Sequence, residues 1–234
     1  MPKISVVIPA YNEEKYLGAT LDSLVNQNFP KSDYEIIVVD NASTDGTVKI
    51  ARKYPVRVIS EPRLSVVRAF QTGFSAAISP IIASAGADTI YPPDWITSIC
   101  SHFSSPDTVG VYGPVVFLET DHLPTRIFSF ISPYFFRLNH FLGTDMPSGA
   151  NMAVRKNAFL QIGGFDLRLT TAEDTYLYYR LKKLGRFIYL PTVIAKTSNR
   201  RLVHEKSRFF AHHAANLLRF KFSGSSSSNF TPYR

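Results

Sequence analysis

Short apolar runs alternate with stretches of helical period over the first hundred or so residues. Residues 3–9 (KISVVIP) form an almost unbroken β-branched run, as expected of a strand covered on both faces in a parallel sheet. Leu17, Leu21, Leu24 and Val25 then fall on one helical face. Residues 34–40 repeat the strand pattern and end in Asp40, after which Ser43, Thr44 and Asp45 offer N-caps to a helix reaching about Tyr54. Residues 56–60 read as a short strand. Residues 64–78 read as a helix that places small residues, including Gly73, against the sheet, and Pro80 stops it. Residues 81–85 are a fourth strand running into Gly86-Ala87-Asp88, and Pro92-Pro93-Asp94 opens a helix carrying Trp95, Ile99 and Phe103. Alternation at short intervals, without a fixed repeat, predicts an α/β fold with a Rossmann-like sheet over residues 1–105.

The rhythm then changes. Residues 109–118 read as one longer strand. Residues 124–142 (PTRIFSFISPYFFRLNHFL) are dense in Phe around Pro133, and periodicity leaves open whether they form a core helix or an interfacial segment. Residues 150–154 suggest another strand, 172–184 an amphipathic helix stopped by Gly185, and 187–190 a final short strand. Residues 205–222 read as a basic amphipathic helix, and Gly224 with four serines as a flexible tail. The expected division is one domain over 1–203, with a first part to 105 and a second over 106–203, followed by the segment 204–234.

Length and composition narrow the classes. A chain of 234 residues with 45% apolar content can bury a sizeable core. It contains no apolar run of about 18 residues that would suggest a membrane-spanning helix. The first apolar run is too short for a secretory leader, and the lone Cys100 cannot form an internal disulfide, so a cytoplasmic location is expected. Charge is uneven: residues 1–117 hold nine Lys and Arg against eleven Asp and Glu, whereas residues 118–234 hold seventeen against seven. A basic second half suits an anionic lipid, a diphosphate or nucleic acid. Nucleic acid is disfavoured because the aromatic residues cluster instead of interleaving with the cations.

Several motifs sit where strands end, the usual place for ligand groups in α/β sheets. PAYNEE (9–14) puts Tyr11 and Glu13 there; an aromatic ring at that edge could cover a nucleobase, although Glu13 and Glu14 would equally favour a helix N-terminus. VVDNASTDGT (38–47) ends its strand in Asp40, a carboxylate able to accept from a base N–H or a ribose hydroxyl. Glu173-Asp174 opens the 172–184 helix, as a base or as simple dipole stabilisers. Ser148, Gly149 and Asn151 lie near a strand start, and GGFD (163–166) reads as a turn. Arg200 and Arg201 have the forked geometry that bridges diphosphate oxygens, His204 is a candidate metal ligand beside them, and Arg68 reads as a solvated helix position. No P-loop, no G-x-G-x-x-G after the first strand, no G-x-S-x-G and no zinc-like spacing occurs.

The ordered series PAYNEE, VVDNASTDGT, a strand ending in an acid, SGANMAVRK, GGFD and AED resembles glycosyltransferase family 2, over roughly residues 3–203. The resemblance implies a GT-A fold, a mixed but mainly parallel sheet flanked by helices. It also implies inverting transfer from a nucleoside-diphosphate sugar with Mg²⁺ or Mn²⁺. By that similarity Pro9, Tyr11, Glu13, Asp40 and Asp88 hold the nucleotide. Asp88, as the last acid of a D-x-D motif, also holds the metal, and Asp174 is the catalytic base with Glu173 its rival. The departure is Gly86, where the motif has its first acid. In many members the second acid is the direct ligand, so the expectation is a working, metal-sensitive enzyme; the alternative is a catalytically impaired nucleotide-sugar-binding module. The basic, Phe-rich second half suggests a membrane-associated acceptor, a polyprenyl phosphate or glycolipid, and peripheral contact at the inner membrane face.

Overall fold

The computed structural model describes residues 1–119, 123–170 and 172–200. Arg201, His204, the 205–222 stretch and the serine-rich tail lie outside them. The first strand, β1 (Ile4–Ala10), is followed by α1 (Leu17–Val25), β2 (Tyr34–Asp40), α2 (Thr47–Ala51), β3 (Arg57–Ser60), α3 (Val66–Ala76) and β4 (Ile81–Ala85). Next come β5 (Thr89–Ile90), α4 (Trp95–Ser101), β6 (Thr108–Tyr112), β7 (Val115–Phe117) and α5 (Leu123–Phe141). The described chain finishes with β8 (Asn151–Arg155), α6 (Lys156–Gln161), α7 (Glu173–Leu181), β9 (Arg186–Tyr189) and β10 (Ala195–Thr197).

Seven strands form one sheet in the order β3-β2-β1-β4-β8-β6-β9, in which β8 alone runs against its neighbours. Strands from both halves of the chain therefore share one hydrogen-bonded sheet. Alternate residues feed two cores, as the two-residue period of a strand requires. Ile4, Val6 and Ile8 pack with Leu17 and Leu21 of α1 and Trp95 of α4, while Val7, Ile37 and Val39 pack with Phe70 and Phe74 of α3, Phe159 of α6 and Leu177 of α7. Helices thus cover both faces, which explains the continuous apolar runs of β1 and β2. Gly73 is the closest approach of α3: a Cβ there would come within 2.3 Å of Val7 Cγ1.

Two expectations need revision. Residues 109–118 are two strands in different sheets. The chain turns at Gly113, where a Cβ would meet Val193 O at 2.1 Å, and Pro114, which has no N–H to offer a ladder. The strand at 186–189 is followed by β10, which builds a small sheet in the order β5-β10-β7. Its three residues are too few to show a period. Residues 123–141, left open by periodicity, form one continuous helix in which Phe136 packs against the core and Phe128 against Phe117 while most of the other large apolar side chains face outward. Among the described residues no helix is long and apolar enough to cross a membrane.

Candidate active site

The carboxyl ends of β1, β2 and β4 and the amino end of β8 share one rim: Ala10 is in register with Asp40, and Ala85 with Asn151. PAYNEE, VVDNAST, the β4 end and the start of β8 in SGANMAVRK meet at this rim, whereas GGFD contacts Gln71 of α3. Among the described residues three non-glycine residues are left-handed, Asn12 (φ 54°), Ala42 (φ 63°) and Ala172 (φ 56°), one each in PAYNEE, VVDNAST and the approach to α7. Such backbones cost on the order of 1 kcal/mol or more apiece, and they persist where the surroundings over-determine them. At Asn12 the cause is visible: its N–H donates to Ser43 Oγ (3.1 Å) and its Oδ1 accepts from Thr44 N (2.8 Å), which ties the first loop to the second.

Pro9, Tyr11 and Asp40 are half-buried around the β1 and β2 ends. Asp40 Oδ1 accepts a long bond from Ser43 N (3.3 Å). Its neighbour Asn41, 3% exposed, donates to Glu61 O and Arg63 O at 2.8 Å each and accepts from Ser65 N at 2.8 Å, so it pins the 61–65 loop to the sheet. Asn41 had no distinguishing mark in the sequence beyond following a strand-ending acid.

Glu13 has a more enclosed position than its place in a surface turn suggests. Its N–H donates to Thr47 Oγ1 (2.7 Å), and its carboxylate takes both arms of the Arg200 guanidinium, Nη1 to Oε2 at 2.8 Å and Nη2 to Oε1. Nη2 also lies 3.1 Å from Asp88 Oδ2, and the guanidinium sits over the Tyr16 ring at 4.9 Å. Burial works against the charge of Arg200, but the Glu13 hydrogen bond and the Asp88 and Glu13 charges more than offset it and hold its pKa above the ordinary value. What delivers Arg200 is β10: Thr197 pairs with Thr89, Ser198 N donates to Asp88 O (3.0 Å), and Thr197 Oγ1 donates to Asp88 Oδ1 (3.1 Å). Because β10 was invisible as a pattern, so were Thr197 and the contact between residues 187 positions apart.

Asp174 stands against Gly149, just before β8. It is the second residue of α7, and its carboxylate accepts from Gly149 N (2.8 Å) and from its neighbour Thr175 N (2.6 Å). Burial raises its pKa above the usual aspartate value, and the Gly149 and Thr175 hydrogen bonds only partly counter this. A carboxyl whose proton affinity is raised while its oxygens stay oriented is suited to general-base work. A short relay joins it to the β4 end: Gly86 N donates to Tyr91 OH (2.8 Å), and Tyr91 OH donates to Ala150 O (2.7 Å), one residue from Gly149. Glu173 is half-buried beside it. Asn151, the third residue singled out in SGANMAVRK, is committed inward. It is 1% exposed, accepts from Trp95 Nε1 (2.8 Å) and donates to Pro114 O (2.9 Å) and Val193 O (2.7 Å).

Gly86 is packed as a glycine. A Cβ there would lie 2.5 Å from Thr89 Oγ1, and 3.4 Å from both Ala150 Cβ and Asp88 Oδ1. The first acid of the motif is therefore replaced by contact between the β4 end and the residues that hold Asp88. Among the described residues no group of three His, Cys, Asp or Glu could hold a metal ion. The donors at this point are the Asp88 carboxylate and the Thr197 hydroxyl. Both are hard oxygens, which fit Mg²⁺ or Mn²⁺ when diphosphate and water supply the remaining ligands.

A doubly covered α/β sheet with one antiparallel strand, and acids gathered at its carboxyl rim, defines the GT-A class of folds. The match to the mannosyltransferase PcManGT from Pyrobaculum calidifontis, solved with GDP-Man and Mn²⁺, agrees: TM-score 0.76 at 19% identity, covering 97% of this chain and 66% of that one. The chain belongs to glycosyl transferase family 2, whose family model matches residues 5–163. It is 52% identical over 54 residues to the poly(ribitol-phosphate) beta-N-acetylglucosaminyltransferase TarS of Staphylococcus aureus, a stretch covering 23% of this chain and 9% of TarS. It is 29% identical over 226 residues to the probable glycosyltransferase YdaM of Bacillus subtilis, covering 83% of this chain and 50% of YdaM. The chain therefore spans at most about half the length of these two curated relatives.

Proposed function

We propose that this protein is an inverting glycosyltransferase moving a sugar from a nucleoside-diphosphate donor to an acceptor hydroxyl or phosphate. The nucleoside lies against Pro9, Tyr11 and Asp40, and Glu13 anchors Arg200, which faces the diphosphate beside Asp88; Arg201, the other diphosphate candidate, lies outside the described residues. Asp174 takes the acceptor proton. The reading is carried by one observation: a carboxyl with raised proton affinity, Asp174, and a guanidinium-bound carboxylate, Asp88, are joined at one rim through Gly86, Tyr91 and Ala150. A single base acting by direct displacement inverts the anomeric centre. A divalent cation bound through Asp88 would neutralise charge on the leaving diphosphate. PcManGT with GDP-Man and Mn²⁺, and TarS solved with UDP-GlcNAc, support a nucleotide-sugar donor and a metal.

For the acceptor, the excess of cations in the second half favours a phosphate-bearing molecule, a lipid-linked one such as a polyprenyl phosphate or glycolipid, used at the cytoplasmic face of a membrane. The packing of Gly86 favours a second reading, a binding module without turnover. The deciding experiment is a panel of UDP- and GDP-sugars with Mn²⁺ or Mg²⁺, read by calorimetry for binding, by nucleoside-diphosphate release for turnover, and by NMR for the anomer formed. Binding with turnover and an inverted product is expected. Binding without turnover selects the module, and no binding of any donor overturns both.

A further inference from the structure

The helix α5 is built inside out. A helix lying on a sheet normally turns its apolar stripe to the core, yet the most buried positions here are Thr125 and Ser132, with Ser129, Phe136 and Phe128 beside them against the protein. Ser129 Oγ accepts from Phe117 N (3.0 Å), Ser132 Oγ donates to Val115 O (2.7 Å), and Tyr189 OH donates to the Pro133 carbonyl (3.3 Å). These bonds set the rotation of the helix. Leu123, Ile127, Phe130, Tyr134, Leu138 and Phe141, at three- and four-residue spacing, consequently share the outward face, each between 48% and 85% exposed. Six such side chains present on the order of 600 Å² of apolar surface, at or above the largest patch usual on a soluble monomer.

The charges beside the stripe say what covers it. Residues 123–142 contain no Asp or Glu, and Arg126 and Arg137, both exposed, fall on the same flank by the 3.6-residue turn. Next to that flank His140, Lys182 and Arg186 line a hollow of about 360 Å³ with Tyr189. Buried Asp145 contacts His140 and Lys182 at 2.8 and 3.3 Å, and the exposed Arg186 guanidinium keeps the mouth of the hollow positive. An apolar stripe of about 28 Å lying parallel to the surface, edged by arginines and a cationic hollow, matches a bilayer interface carrying anionic headgroups.

We propose that α5 is a monotopic docking helix. Its outward stripe lies in the interface of an anionic membrane, Arg126 and Arg137 reach headgroup depth, and the His140-Lys182-Arg186 hollow receives a lipid phosphate. Eight residues beyond Phe141 the chain reaches Gly149, whose N–H holds Asp174, so docking would bring the Asp174 side of the rim toward the lipid surface. The inference rests on α5 alone and not on the transfer reading.

The test uses the full chain and tryptophan fluorescence. Trp95 is the single tryptophan and is 0% exposed, so Phe130→Trp adds a reporter against a protected background. With vesicles of phosphatidylcholine and phosphatidylglycerol bearing brominated acyl chains, Phe130→Trp is expected to be quenched. Leu160→Trp, exposed on α6 where that helix packs against β8, is expected to stay unquenched. Co-sedimentation with unbrominated vesicles of the same composition should fall about tenfold or more in F130S/F141S and several-fold in R126Q/R137Q or at high salt. Urea midpoints should be unchanged, since all four side chains are exposed. Absence of quenching in Phe130→Trp, or undiminished co-sedimentation of F130S/F141S, overturns the proposal. So does a stable lipid-free dimer by light scattering that F130S/F141S dissolves, because the stripe would then cover a second copy.

Discussion

Replacing Arg200 by methionine keeps an unbranched apolar stem and removes the charged fork, which isolates what the guanidinium does between Glu13 and Asp88. The pairs stand at 2.8 Å and 3.1 Å, and the side chains of Arg200, Glu13 and Asp88 are 24%, 10% and 16% exposed. At 3.1 Å and an effective dielectric of about 20, one unit pair is worth roughly 5 kcal/mol before desolvation. Breaking a fully buried pair costs about 3–5 kcal/mol, whereas an exposed one is worth about 0–1. A guanidinium one quarter exposed lies between, so Arg200→Met should destabilise the ligand-free protein by about 2–3 kcal/mol, a fall in Tm of roughly 5–10 °C. Urea unfolding of wild type, R200M, E13Q and E13Q/R200M completes a double-mutant cycle, in which the coupling should be about 1–2 kcal/mol with m unchanged. The same variant should bind donor more weakly, since the cation facing the diphosphate is gone. If R200M lies within about 0.5 kcal/mol of wild type and is additive with E13Q, the bridge is not a structural tie and the argument fails.

Asp174→Asn should lower kcat by about 10²- to 10⁴-fold with donor affinity little changed. Because the base must be ionised and burial holds its proton on, the acid limb of the wild-type kcat profile should lie above the ordinary aspartate value of 3.8; a limb at or below it would refute the assignment. Gly86→Asp should not restore a D-x-D site, because its Cβ meets Thr89 Oγ1 at 2.5 Å. A loss of about 1–3 kcal/mol in urea, partly regained in G86D/T89A, is expected, and a G86D protein as stable as wild type would show that the packing is not tight. Asp145, 1% exposed, accepts from Tyr112, Tyr178 and His140; burial pushes its pKa up, but these hydrogen bonds pull it further down, below the ordinary value. Its contribution is therefore present above the unfolded aspartate pKa and lost as pH falls through the lower folded one. Asp145→Asn should cost about 3 kcal/mol at neutral pH, with the difference narrowing below about pH 4; a difference that does not change with pH would contradict the sign.

Much of the fold could be read because the first half alternates cleanly. The β-branched runs of β1, β2 and β4 are long enough to show a strand, and the acids that follow them mark the rim. The ordered motifs also pointed to the family. What escaped is short or inverted. β10 has three residues, yet it carries Arg200 to Glu13 and Asp88. Asn41 and Thr197 look like ordinary loop and strand residues and act only through partners far away in sequence. Asn151 sat in a promising motif but is turned inward by Trp95, and α5 has a helical period that does not say which side faces the protein.

The sequence by itself determined the strand–helix order from β1 to β4, the family and the positions of the acids, because each depends on local period or on a motif read within a few residues. Tertiary structure decided which oxygens meet Arg200, how burial lifts the proton affinity of Asp174, why position 86 has room only for glycine, and that α5 shows its apolar side to solvent. Those outcomes depend on contacts between segments tens to nearly two hundred residues apart, and such contacts leave no periodic trace along the chain.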